Sequence, residues 1–144
     1  MHLLRHALTL CLGLTLCASA TAADLKILDG FVLGKTPLIP YLEEKSQWCN
    51  VKELETFYDL NGVSCYNVPG LLRVGFHANG RFVITSYMKR ALPDIMKKLK
   101  ESYGEPQHPE ETRYVWHPSK GQEIALDTEE RLEGAFSISY VVEE

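Results

Sequence analysis

The sequence predicts an α+β domain of two layers, an antiparallel sheet with two helices on one face. Three observations predict it. Leu92, Ile95, Met96, Leu99 and Tyr103 recur at helical spacing. Residues 71–88 alternate apolar and polar about an Asn79-Gly80 pair, the preferred centre of a two-residue hairpin turn. Phe136, Ile138, Tyr140 and Val142 alternate with Ser137, Ser139 and Val141, the period of a half-buried strand. Each segment is apolar on one side, and must bury that side against another element.

The chain has 144 residues, enough for one domain and too few for two. Apolar residues make up 45% and charged residues 24%, which excludes a disordered, collagen-like or coiled-coil chain. The first 22 residues are set apart. Arg5 precedes an uncharged, Leu-rich run over 7–17, and Ala18-Ser19-Ala20-Thr21-Ala22-Ala23 follows. This is the three-part plan of a secretory signal peptide, with cleavage expected after Ala22 and Ala20 and Ala23 as neighbouring choices. The run is too short for a membrane anchor. Lipidation of an exported Cys needs a small residue before it, and Leu16 precedes Cys17 as Leu10 precedes Cys11. The expected division is a signal peptide over 1–22 and a single domain over 23–144, periplasmic or secreted.

Arg5 leaves with the signal, so 14 of the 15 basic residues remain against 19 acidic ones, a net charge of −5. That balance argues against a nucleic-acid or anionic-membrane surface. Cys49 and Cys65 remain as an even pair in an oxidising compartment, and one disulfide is expected. Closing the 49–65 loop is worth about 3 kcal/mol. A redox pair would use the shorter C-x-x-C spacing.

Taken in order, Gly30 and Gly34 flank Phe31-Val32-Leu33 and mark an entry turn. Thr36-Pro37 reads as a helix start, with Leu38, Tyr41, Leu42 and Lys45 at helical spacing and Pro40 keeping the helix short. Asn61-Gly62 predicts a hairpin joining 57–60 to 63–68. Before it, Asn50 and Glu53 leave open a capping box for a short helix ending near Tyr58. Folding 71–88 about Asn79-Gly80 sets Leu72, Val74, Phe76, Val83, Thr85 and Tyr87 on the core face. Arg73, Gly75, His77, Phe82, Ile84 and Ser86 fall on the other. The second helix begins near Leu92 and Pro93, carries Asp94 early and Lys97, Lys98 and Lys100 late, and stops at Gly104. Strands are expected over 113–117, 122–127 and 135–142.

Leu38 and Leu42 match Ile95 and Leu99 at an offset of 57, and Phe82-x-Ile84 matches Phe136-x-Ile138 at 54. Each strand ends in Ser-Tyr, at Ser86-Tyr87 and Ser139-Tyr140. These matches predict a duplicated α-β-β-β unit.

No catalytic set emerges. His77, His108 and His117 are not spaced to share a helix face, and no metal site or cofactor is expected. No Ser stands in G-x-S-x-G, and no glycine loop cradles a phosphate. Glu43-Glu44, Glu110-Glu111 and Glu129-Glu130 are adjacent pairs whose carboxylates diverge or face water. What remains is a binding set around the outer face of the sheet: Arg73, His77, Arg81, Phe82, Arg113, and Trp116 or its neighbour His117. Arg and aromatic side chains are the anchors that protein interfaces use.

The run from Phe31 to Gly34 with Thr36 before the first helix, and Tyr103-Gly104-Glu105-Pro106 followed by Trp116 and a closing strand to Tyr140, resemble the β-lactamase-inhibitor-protein type of fold. They are similar also to the small outer-membrane-assembly lipoproteins that share its repeat. The resemblance implies tandem helix-plus-strands units, and no functional residue of that family maps onto this chain. The function expected first is a small, exported, non-catalytic protein that binds another envelope or extracellular protein through the open sheet face, as an inhibitor or immunity protein. The alternatives are a small hydrolase or ligand-binding protein using His77 or His117, and an envelope assembly or structural protein.

Overall fold

The computed structural model describes residues 23–129 and 134–144. The expected signal segment lies outside the described residues. In chain order the elements are β1 (Lys26–Leu28), β2 (Phe31–Val32), α1 (Leu38–Ser46), β3 (Asn50–Leu54), β4 (Phe57–Asn61), β5 (Leu71–His77) and β6 (Phe82–Met88). There follow α2 (Leu92–Tyr103), β7 (Gln107–Glu110), β8 (Arg113–Trp116), β9 (Gln122–Asp127) and β10 (Ala135–Val142). Strands β1 and β2 pair with each other, and the other eight form one sheet in the order β3-β4-β5-β6-β10-β9-β8-β7. Every ladder is antiparallel. The chain is α+β, as its patterning predicts.

Each helix is followed by four strands, and the two four-stranded halves meet where β6 pairs with β10. The expected unit has three. The additional strand in each half is an outer edge, β3 or β7. The sequence matches do not establish a duplication. Val83 pairs with Tyr140 and Thr85 with Ile138, so Phe82 and Ile84 project from the opposite face to Phe136 and Ile138. The match at offset 54 is therefore out of phase.

The core lies on the helix side of the sheet. Phe31 of β2 meets the Tyr41 ring of α1 at 5.0 Å and the Phe76 ring of β5 at 4.9 Å. Phe76 stands opposite Val83, and Val83 opposite Tyr140. Leu38, Tyr41 and Leu42 are the buried face of α1. Leu99 is the buried residue of α2, with Leu92, Ile95, Met96 and Tyr103 packed against the core. Both helices therefore cover the face that carries Phe76, Val83, Ile138 and Tyr140.

Cys49, just past α1, is bonded to Cys65 in a 3₁₀ turn over Val63–Cys65, with their Cα atoms 5.3 Å apart. This spacing is ordinary for a disulfide. The bridge ties together the two ends of the β3–β4 hairpin, which forms one edge of the sheet.

Five local expectations are corrected. Residues 50–54 are strand β3, not a helix, and 63–68 form no strand; the turn before β4 is at Glu55-Thr56, with Glu55 at φ 55°. Thr36 does not cap α1, because its hydroxyl accepts a hydrogen bond from Val32 N at 2.8 Å. Pro37 is the N-cap, so Pro40 falls in the first turn, where a helix needs no amide donor. A register shift between Leu71 and Arg73 puts Leu71, not Leu72, opposite Tyr87 and into the core. At the 77–82 turn only Gly80 takes positive φ, 68°, and Gly80 N bonds His77 O at 2.8 Å. The loop is thus wider than the two-residue turn expected.

Candidate functional site: the outer face of the sheet

Cross-strand register fixes which side chains share the face turned away from the helices. One row runs Leu54, Phe57, His77, and on the other half Phe82, Val141, Glu123. The next runs Lys52, Asp59, Gly75, Ile84, Ser139, Ala125, Val115. A third runs Asn50, Asn61, Arg73, Ser86, Ser137, Asp127, Arg113. Antiparallel sheets commonly pack one face and wet the other. Here the wet face is only partly polar. Leu54 is exposed, and Phe57, Phe82, Ile84 and Val141 are half-buried. A Cβ on Gly75 would overlap the Phe57 ring and lie 3.2 Å from Ile84 Cγ2. Gly75 thus lets the Phe57 ring lie down across the sheet beside Ile84, and the apolar residues become one patch.

The cations expected here are largely spoken for. Arg73 hydrogen-bonds through Nη2 to Asp59 Oδ2, and Asp59 is 2% exposed. That bond holds the Arg73 guanidinium still further above its ordinary pKa. Arg113 lies 3.5 Å from Glu123 and 4.0 Å from Asp127. Arg81 sits in the loop before β6, 3.1 Å from Glu144. Each arginine is neutralised by a carboxylate of its own chain. The distinctive content of the face is therefore the apolar patch with His77 at its margin, more than free positive charge.

Trp116 does not belong to this face. It is 3% exposed, lies on the helix side opposite Ile124, and donates its indole N–H to Gly104 O at 2.9 Å. Alternation along β8 decides this: Val115 faces outward and Trp116 inward. The neighbouring His117 is exposed just beyond the strand end.

His77 and His117 are the histidines that acid–base work would use. His77 Nδ1 accepts a long bond from Asn79 N at 3.5 Å. His117 lines a cavity of about 140 Å³ with Glu123 and Glu143. Neither histidine is ion-paired to a carboxylate among the described residues. His108 stacks on Tyr114 with ring centroids 4.3 Å apart. Among the described residues no group of three His, Cys, Asp or Glu side chains converges as a metal site would require.

Sequence patterning put Ile84 on this face without naming it as a binding residue, and missed Leu54, Phe57 and Val141 as members of the patch. Ile84 was legible as a neighbour of Phe82 at period two. Leu54 and Phe57 were hidden by the ambiguous reading of 50–58. Trp48 was also missed. It is 76% exposed beside Cys49, an unusual place for an indole.

Comparison of the chain with protein-family models, with curated proteins and with solved structures found no match. No helix among the described residues is long and apolar enough to cross a membrane.

Proposed function

We propose that the protein is an exported binding module that docks another protein through the outer face of its sheet, acting as an inhibitor or immunity protein rather than as an enzyme. The apolar patch of Leu54, Phe57, Phe82, Ile84 and Val141 beside His77 carries the reading. Monomeric proteins rarely leave such a contiguous patch to water without using it. Strands braced from behind by a core supply a rigid platform, which lowers the ordering cost of association. The Cys49–Cys65 bridge fits an oxidising compartment, and the pattern over 1–22 fits export to one.

The test is affinity capture from envelope extract with tagged wild-type protein and with Phe82→Asp. A single stoichiometric partner retained by wild type and lost by Phe82→Asp is expected. A partner held equally by both, or none at low salt, would contradict the reading.

A further inference from the structure

The opposite side of the molecule carries a second concavity, independent of the outer face. A cleft of about 620 Å³ runs between α2 and the sheet, a size that accommodates a small organic ligand. Helix α2 is about 18 Å long at 1.5 Å per residue and, with the 3₁₀ turn Lys89–Ala91 that leads into it, offers the cleft two adjacent rows at i+4 spacing. Ala91, Ile95, Leu99 and Tyr103 form the inner wall, and Arg90, Asp94, Lys98 and Ser102 form the rim. Tyr87, Ile138 and Tyr140 of the sheet make the floor. Gly70 brings the 68–70 loop against the start of α2, where a Cβ on Gly70 would lie 2.8 Å from Ala91 Cβ. The cleft is thus elongated, follows the helix axis, and has an apolar floor.

Its rim carries a net positive charge. Arg90 from the 3₁₀ turn before α2, Lys98 from α2 and Lys26 from β1 stand against the single carboxylate of Asp94. None of the three cations is ion-paired among the described residues, whereas Arg73, Arg81 and Arg113 on the other face all are. In a chain with a formal charge of −4, three unmatched cations around one apolar cleft are a local reversal of sign.

We propose that this cleft binds a single-chain amphiphile with an anionic head. The apolar chain lies along the Ala91–Ile95–Leu99–Tyr103 wall over Ile138 and Tyr140. The head, a carboxylate or a phosphate, is held at the rim by Arg90, Lys98 and Lys26. Charged donors strengthen such contacts, and the long stems of Lys and Arg extend the apolar wall.

Calorimetry with three ten-carbon probes below their micelle concentrations tests it: decanoate, decyl phosphate and decyltrimethylammonium. Saturable 1:1 binding of at least one anion is expected, with the cation at least tenfold weaker. Whichever anion binds more tightly names the head. The variant Arg90→Glu/Lys98→Glu alters only exposed side chains, so its fold is checked by circular dichroism and its anion affinity falls at least tenfold. Equal affinity for both signs of charge, absence of binding by both anions, or unchanged affinity in the folded double variant would overturn the proposal.

Discussion

Asp59 is buried on the side of the sheet that faces water, and the guanidinium of Arg73 on the adjacent strand is its hydrogen-bonding partner. The other oxygen, Oδ1, has no hydrogen-bond partner among the described residues. A buried carboxylate stripped of its one cation bears its desolvation cost alone. Arg73 itself is about half exposed, so water replaces part of what it provides. Arg73→Ala is expected to lose about 1–2 kcal/mol in urea unfolding. Asp59→Asn combined with Arg73→Gln is expected to recover most of that. Loss of partner binding in Arg73→Ala alone would therefore report stability as much as contact, which is why Phe82 is the better probe of the face.

Gly75 is the hinge of the patch geometry. Any side chain there displaces the Phe57 ring. Gly75→Val is expected to cost about 1–3 kcal/mol as an overpacking change and to raise the exposure of Phe57. Thermal unfolding reads the first effect and hydroxyl-radical labelling of Phe57 the second.

Trp116 separates core from interface. Trp116→Ala is expected to destabilise by about 3–5 kcal/mol, and Trp116→Phe by about 1 kcal/mol through the lost bond to Gly104 O. Neither is expected to change partner affinity in protein that remains folded. Calorimetric melting together with binding of the Phe variant checks both statements.

Burial raises the pKa of Tyr41, Tyr87 and Tyr140 above the ordinary 10.0. The folded state keeps these protons where the unfolded chain has released them. Stability from this source is thus complete below pH 10 and lost as pH rises above it. Tyrosinate absorbance of these groups is expected to appear together with the unfolding transition. A smooth titration near 10 in folded protein would contradict the burial.

The readable parts of the sequence were those with one buried side. The α2 stripe, the 71–88 hairpin and the 135–142 strand each face the core once per period, and the pattern of residues records it. Strands β3 and β7 are edges, and every residue of β7 is exposed, so no alternation marks it. In β3 only Val51 is partly buried, and the Asn50–Glu53 spacing imitates a helix cap. Thr36 likewise imitates a cap, while its hydroxyl oxygen accepts a hydrogen bond from the Val32 amide and closes the preceding turn. The candidate face was half legible. Period two placed Arg73, His77 and Phe82 together, but the ion partners of the arginines come from neighbouring strands and from the C-terminal residue. The inward turn of Trp116 depended on the register of β8, which its four residues alone do not fix.

The outer face of the sheet is the proposed binding face. Hydroxyl-radical footprinting of the captured complex measures this most directly, because it reads side chains rather than amides already bonded within the sheet. Reduced labelling of Leu54, Phe57, His77 and Phe82, with Ile95 and Tyr103 unchanged, is the predicted result. Protection at Ile95 and Tyr103 with the outer face still fully labelled would contradict it.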